Sequence, residues 1–300
     1  MKYRLSKHSF IREFGIYGYI FSNLTKHDRV YTESGKYFLK TITRTPRDFE
    51  EGLNELLELF KDADKDEISK DYKEFLEDLA QDHYIVIGDD EKELNNNEIG
   101  FTYNIDNPKT LARDFLDVDR TDETKESNEL LSAYFRDNPM IYNFQIEITS
   151  KCNERCIHCY IPHENKTKDI EPSLFYNTLD QLAEHGTLTL TISGGECFLH
   201  KNIDDFLRYA KKKDFSINIL TNATMISDTQ IDLIKELDVS LVQVSVYSMI
   251  PEIHDAITKL PGSFKRTTET IKKMVKKDVP VQVSCPVMKI NREGYKDVLK

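Results

Sequence analysis

Three cysteines, Cys152, Cys156 and Cys159, stand in the run Ile148-Thr-Ser-Lys-Cys-Asn-Glu-Arg-Cys-Ile-His-Cys-Tyr160. Their spacing is C-x3-C-x2-C, at the end of an apolar, strand-like segment. Three thiolates this close suit one corner of an iron–sulfur cluster. A cubane [4Fe–4S] cluster has four irons and is usually held by four cysteines. Three leave one iron without a protein ligand, open to something that reacts. Zinc is the plainer alternative. Structural zinc wants four ligands, and His158 or His163 would be the fourth. Such sites usually pair two short knuckles, and the sequence has no second C-x2-C. The spacing favours the cluster and leaves zinc open.

A second motif follows in Thr189-Leu-Thr-Ile-Ser-Gly-Gly-Glu196. Two glycines let a backbone approach a ligand closely and turn its amide and carbonyl groups inward. The carboxylate of Glu196 is an acceptor for an ammonium group. Alone, Gly-Gly-Glu is an ordinary strand-to-helix turn; one β-α unit after a three-cysteine loop, it is a strong signal. Cys197 comes next and reads as a small buried residue, the sharper alternative being a thiol beside the cluster. Tyr160 either shields the cluster or simply packs.

The elements that must hold these residues alternate strictly between β and α from Ile141 onward. Strands read at 142–149, 187–193, 215–221, 240–247 and 280–288. Helices read at about 172–185, 201–213, 228–237 and 263–277. This is the pattern of a parallel α/β sheet or barrel. In the fourth strand Gln243, Ser245 and Tyr247 share one face, and Val242, Val244 and Val246 the other. The apolar face packs under helices and the polar face lines the interior, where ligands bind near the strands' C-terminal ends. Gln282 and Ser284 fall on the polar face of the fifth strand. Cys285 falls on the apolar face with Val281, Val283 and Val287 and reads as core packing. Asn222, after the third strand, either faces the ligand or forms a turn. The segment from Asn291 opens another helix, and the chain reads as cut short.

Over residues 141–300 the sequence resembles the radical S-adenosylmethionine (SAM) superfamily, in which the C-x3-C-x2-C loop follows the first barrel strand. The resemblance implies that Cys152, Cys156 and Cys159 ligate a [4Fe–4S] cluster whose open iron chelates SAM. It implies that Gly194, Gly195 and Glu196 line the methionine end of SAM, with Ser245 near the ribose. Asn222 and Gln243 are further cofactor-facing candidates, whereas His158 is not counted as a ligand. The implied fold is a partial (β/α)6, TIM-like barrel cut short after its fifth strand, preceded by a small α+β winged-helix-like domain. The implied chemistry is reductive cleavage of SAM to methionine and a 5′-deoxyadenosyl radical. The cofactor carries that step, so no protein acid or base is assigned a catalytic role. A reduced flavodoxin or ferredoxin is the implied electron donor, and auxiliary iron–sulfur clusters are possible beyond residue 300.

The first 90 residues read as the winged-helix-like module. Ile11 to Asn23 reads as a strand pair, and Arg29 to Gly35 as a third strand or a helix start. Helices read at Thr45 to Lys61 and Glu67 to Gln81, with a strand at His83 to Gly88. Residues 91–140 read as a polar, acidic linker with short helices at Pro108 to Leu116 and Ser127 to Tyr134. Residues 141–300 are the core barrel.

With 300 residues, 31% of them charged and a net charge of -11, a nucleic-acid backbone is a poor partner. No stretch approaches the length of an apolar membrane span, and the N-terminus has no signal core. Five cysteines, three of them clustered, make no disulfide framework. The chain reads as cytoplasmic, with no nucleic acid and no membrane among its partners.

The stretch Val244 to Phe264 resembles the matching segment of peptide- and protein-modifying members of the family. The N-terminal module resembles the domain with which peptide maturases hold a precursor's leader as an added strand. The leading expectation is a maturase of a ribosomally made precursor peptide, installing a thioether, a carbon–carbon crosslink or an epimerised centre. The alternatives are a protein maturase of the anaerobic sulfatase type, and an iron–sulfur regulator whose winged module binds DNA.

Overall fold

A computed structural model describes residues 1–103 and 121–299. These fall into two compact units, Met1–Met140 and Ile141–Lys300. The helix expected at Pro108 to Leu116 lies outside the described residues.

The first unit opens with β1 (Lys2–Leu5), β2 (Ser9–Phe14), β3 (Tyr17–Ser22), β4 (Asp28–Tyr31) and α1 (Glu33–Lys40). It continues through β5 (Arg47–Asp48), α2 (Phe49–Leu59), α3 (Lys65–Gln81), β6 (Ile85–Gly88), α4 (Glu91–Asn97) and α5 (Thr121–Asp137). β1 is a strand that the sequence reading passed over. Its alternation is nonetheless clear, since Tyr3 and Leu5 are buried while Lys2 bonds Asp48 and Arg4 bonds Glu98. It forms the middle of an antiparallel sheet ordered β5-β1-β6, and a second antiparallel sheet runs β2-β3-β4. Arg29 to Gly35 serves both expected ends, as β4 and then as the start of α1.

α2 begins four residues later than Thr45, because Arg47 and Asp48 pair with β1 first. Asp48 then starts the helix, its backbone N–H donating to Glu51 Oε2 at 3.4 Å. In α3, Ile68, Tyr72, Leu76 and Leu79 form one buried stripe at helical spacing. The acidic stretch after β6 is α4, fastened by the fully buried Leu94.

The second unit runs β7 (Asn143–Glu147), α6 (Pro172–Glu184), β8 (Thr189–Ser193), α7 (Ile203–Lys212), β9 (Ser216–Thr221) and α8 (Asp228–Glu236). β10 (Leu241–Ser245), α9 (Pro251–Thr258), α10 (Ser263–Lys276) and β11 (Val281–Ser284) complete it. All five strands are parallel and neighbour one another in chain order, β7-β8-β9-β10-β11. This is an α/β fold with the sequential parallel wall of a TIM-like barrel. Leu190, Ile192, Ile217, Ile219, Val242 and Val244 are buried in one core with the helices. Phe175 of α6 stacks on Phe206 of α7 at 3.9 Å between ring centres.

α9 was not expected. Pro251 opens it, and Lys259 ends it in the left-handed conformation at φ 57°. Asp255 then accepts from Gly262 N, Ser263 Oγ and Phe264 N, so one carboxylate starts α10.

The fifth strand departs most from expectation. β11 stops at Ser284, and Cys285 lies past its end, half-buried and outside the core. Val283 and Val287 are 41% and 55% exposed, so only Val281, half-buried, packs this strand's apolar face against the core. Gln282 is likewise exposed and Ser284 half-buried. Pro286 supplies no backbone donor to continue the ladder. The helix expected from Asn291 is replaced by turns and a 3-10 helix, Tyr295–Leu299. Asn291 is buried and spends its side chain on tertiary bonds, donating to Tyr247 O at 2.7 Å and Pro286 O at 3.0 Å.

Candidate functional site

The C-terminal ends of β7 to β10 share one edge of the sheet, with Glu147 paired to Ser193 and Val244 to Thr221. The chain leaves β7 as an irregular loop that carries the three cysteines. Ile148 N donates to Ser193 O at 3.0 Å, carrying the pairing with β8 beyond β7. Gly195 N then donates to Thr149 O at 2.7 Å, and Glu196 N to Lys151 O at 2.8 Å. A Cβ on Gly194 would run into the Thr149 carbonyl, and one on Gly195 into those of Ser150 and Lys151. Gly194 also holds a φ of +149°. The two glycines let the turn after β8 clasp the start of the cysteine loop.

The loop's other side is pinned to α9. Arg155 N donates to Thr258 O and Ile157 N to Ile257 O, each at 2.9 Å. Asn153 ties the loop to the end of β9. It accepts from Asn222 Nδ2 at 3.0 Å and donates to Thr224 Oγ1 at 2.7 Å.

Cys152, Cys156 and Cys159 thereby line one cavity of about 230 Å3, together with Gly194, Gly195, Asn222, Ser245 and Tyr247. Asn222 Nδ2 lies 3.9 Å from Cys152 Sγ, and Tyr247 Oη 4.0 Å from Cys156 Sγ. Gln243, one pleat further from the strand end, does not line it. Glu196 also lies outside the wall. It is fully buried, and its carboxylate accepts from Thr221 Oγ1 at 2.8 Å, Asn222 N at 2.7 Å and Phe198 N at 3.1 Å. Cys197 is buried in the core, its thiol directed at Leu220 O at 3.4 Å. Tyr160 is 75% exposed at the cavity rim and donates to Glu147.

Two residues at the cavity escaped the sequence reading. Glu154, inside the cysteine loop, is 2% exposed, and its Oε1 has no hydrogen-bond partner. Its Oε2 accepts from Cys156 Sγ at 3.3 Å. Lys166 donates its Nζ to Glu154 O at 3.1 Å. Nothing in the spacing marks a charged loop residue as buried.

Burial pushes the Cys152 thiol up to about 11. Burial pushes Cys156 higher still, helped by the neighbouring Glu154 carboxylate. Burial also raises the Glu154 carboxyl, to about 7, and raises that of Glu196. Thiols this far up stay protonated until a metal claims them, since coordination deprotonates a thiol outright.

The donor set fits a cubane cluster with one open iron. Three thiols share a cavity wall, and glycine backbone stands beside them. Among the described residues no three His, Cys, Asp or Glu side chains converge on a single ion. A cubane does not ask for that, because its protein ligands sit on separate irons.

A parallel α/β wall with a C-x3-C-x2-C loop after its first strand and Gly-Gly-Glu after its second defines the radical SAM class. The chain belongs to the radical SAM superfamily, whose sequence model matches residues 146–300. It is similar to the antilisterial bacteriocin subtilosin biosynthesis protein AlbA of Bacillus subtilis, 35% identical over 157 residues. That match covers 51% of this chain and 35% of the relative. The sporulation killing factor maturation protein SkfB of Bacillus subtilis is 26% identical over 156 residues, 52% of this chain and 38% of the relative. The match thus spans little more than a third of either curated relative. In fold, the chain is similar to Streptococcus suis SuiB bound to precursor peptide SuiA, with a TM-score of 0.63 at 15% identity. That likeness covers 100% of this chain and 60% of the other.

Proposed function

We propose that this protein is a radical SAM maturase of a ribosomally made precursor peptide. The observation that carries the reading is the shared cavity of Cys152, Cys156 and Cys159 beside the Gly194–Gly195 backbone. The names of two curated relatives, concerned with bacteriocin biosynthesis and killing-factor maturation, support a peptide substrate.

In this reading Cys152, Cys156 and Cys159 would hold a [4Fe–4S] cluster beside a SAM-binding cavity, and the bound cofactors would supply reductive SAM cleavage and hydrogen abstraction from the substrate. The protein's part is to bind, orient and exclude water. Gly194 and Gly195 offer backbone groups to the amino-acid end of SAM. Asn222 and Ser245 supply side-chain polar groups from β9 and β10. Glu196 acts from beneath, holding the end of β9 through the backbone of Asn222. Gln243 stands back from the cavity and is left without a ligand role.

The first unit is the leader-recognition module, winged-helix-like in element order. β4 ends its sheet beside a groove lined by Arg29, Val30, Tyr31, Asp78, Ser127 and Leu130. A leader added along this region would gain main-chain hydrogen bonds. Among the described residues no helix is long and apolar enough to cross a membrane. A reducing cytoplasm suits three free thiols, and a flavodoxin or ferredoxin is the electron donor.

The test is anaerobic reconstitution with iron and sulfide, then SAM, dithionite and a candidate precursor peptide. The expected products are 5′-deoxyadenosine and a mass change in the peptide. Cys156→Ala is expected to abolish both. Undiminished 5′-deoxyadenosine from that variant would sink the cluster assignment.

A further inference from the structure

We propose that Tyr247 is a positioning residue for the cysteine loop: its hydroxyl donates to the Cys156 sulfur and raises the reduction potential of the cluster which that sulfur ligates. The proposal rests on reading Cys152, Cys156 and Cys159 as ligands of a [4Fe–4S] cluster. It adds a residue that acts through one of those ligands and belongs neither to the ligand set nor to the groups assigned to SAM.

Tyr247 stands two residues past the end of β10, in the cavity wall. It is buried, and three parts of the chain hold it there. Its backbone N–H donates to His254 Nδ1 of α9 at 3.3 Å. Its carbonyl accepts from Asn291 Nδ2 at 2.7 Å and from Cys285 Sγ at 3.6 Å, both beyond β11. Its ring meets His158 of the cysteine loop edge-on, at 5.0 Å between ring centres, and His254 at a tilt, at 5.4 Å. A phenol oxygen lies in the plane of its ring, so fixing the ring fixes the oxygen. That oxygen stands 4.0 Å from Cys156 Sγ, the outer reach of an O–H···S contact. Ser245, on the same strand face, is the other polar group beside it. A buried tyrosine hydroxyl ordinarily finds a partner, and here the partner at hand is a cluster-ligand sulfur.

The sulfurs are not served alike. Cys152 Sγ accepts from Glu154 N at 3.4 Å and faces Asn222 Nδ2 at 3.9 Å. Cys156 has no N–H donor of that kind among the described residues. Its thiol donates to Glu154 Oε2 at 3.3 Å, and the Tyr247 hydroxyl is the donor that faces it. A thiol that takes a metal gives up its proton. Cys156 then becomes an anionic acceptor, and the Glu154 carboxyl beside it accepts rather than donates. A phenol keeps its proton near neutral pH, and ionised acceptors take shorter and stronger hydrogen bonds than neutral ones. Hydrogen bonds to the sulfurs are among the influences that set the potential of an iron–sulfur centre. A donor at the sulfur withdraws negative charge and so favours the reduced, more negative state. The Tyr247 hydroxyl thereby makes the electron easier to accept, and its effect passes through Cys156.

The test compares the wild-type protein with Tyr247→Phe, which keeps the ring contacts and removes only the hydroxyl. Both are reconstituted anaerobically with iron and sulfide, and their iron content is measured first. Each is then titrated with dithionite in the absence of SAM, the potential being set with mediator dyes and the reduced cluster read by electron paramagnetic resonance. Equal iron is expected in the two proteins. The ratio of reduced to oxidised cluster in the variant is expected to be about tenfold lower at a fixed potential, about 59 mV for one electron. Tyr247→3-fluorotyrosine, whose hydroxyl is a stronger donor, is expected to move the potential upward instead. An unchanged potential in Tyr247→Phe overturns the proposal. So does a loss of iron, which would make the hydroxyl a support of the loop, or a shift that appears only with SAM present, which would make it a SAM contact. Anything but a rise in the fluorinated variant overturns it as well. A wild-type protein that takes up no iron overturns the cluster reading and this proposal together, before either variant is compared.

Discussion

Two buried layers, one in each unit, spend their polar groups differently. In the first, the tyrosine layer closes on itself. Tyr72 Oη donates to Tyr3 Oη at 2.7 Å and lies 2.5 Å from Thr41 Oγ1. In the second, the network stops short at a cavity. Glu196, Asn153 and Asn222 hold the backbone of one loop and one strand end, leaving three thiols half-buried along the wall. A closed network holds a fold, and an open one holds a site. The Tyr3, Tyr72 and Thr41 hydroxyls all find partners, whereas the cysteine loop leaves Glu154 Oε1 without one.

The contrast can be broken by substitution. Gly195→Ala has the largest expected effect. The added methyl meets the Ser150 and Lys151 carbonyls, so the clasp on the cysteine loop must open. A cost of about 1–3 kcal/mol is expected, with most of the iron lost after reconstitution, read by metal analysis. Retention of wild-type iron would show that the loop needs no clasp.

Glu196→Gln comes next and sharpens the role of that carboxylate. The new amide must set a donor against either the Asn222 N–H or the Thr221 and Phe198 donors. Destabilisation of about 1–3 kcal/mol is expected, read by denaturant unfolding of the cluster-free protein. A direct SAM ligand would instead weaken SAM binding and leave the unfolding midpoint alone.

Gly52→Ala is the matching change in the first unit, where a methyl would strike the Tyr3 and Tyr72 hydroxyls. Here too about 1–3 kcal/mol is expected, but iron uptake and dithionite-driven 5′-deoxyadenosine should remain at wild-type levels. A loss of iron in this variant would erase the distinction between the two networks.

Much of the second unit was legible because its signals are local. Val242 and Val244 alternate with Gln243 and Ser245, and the structure buries the two valines fully. The cysteine spacing and Gly-Gly-Glu could be read without any contact being known. What escaped depends on contacts distant in sequence. α9 is set by Pro251 and by Asp255 capping the next helix. The premature end of β11 follows from Pro286 and from Asn291 reaching back to Tyr247. The burial of Glu154 and the inward turn of Glu196 come from how three loops close on one another. In the first unit β1 was missed because its outward residues, Lys2 and Arg4, disguise a short alternating strand.

The central claim is that three thiols hold a four-iron cluster with one iron open to SAM. Low-temperature electron paramagnetic resonance of the anaerobically reconstituted, dithionite-reduced protein tests it most directly, with and without SAM. The account predicts about four irons per chain and a cluster signal that changes shape when SAM is added. A signal indifferent to SAM, or zinc retained in place of iron, would contradict it.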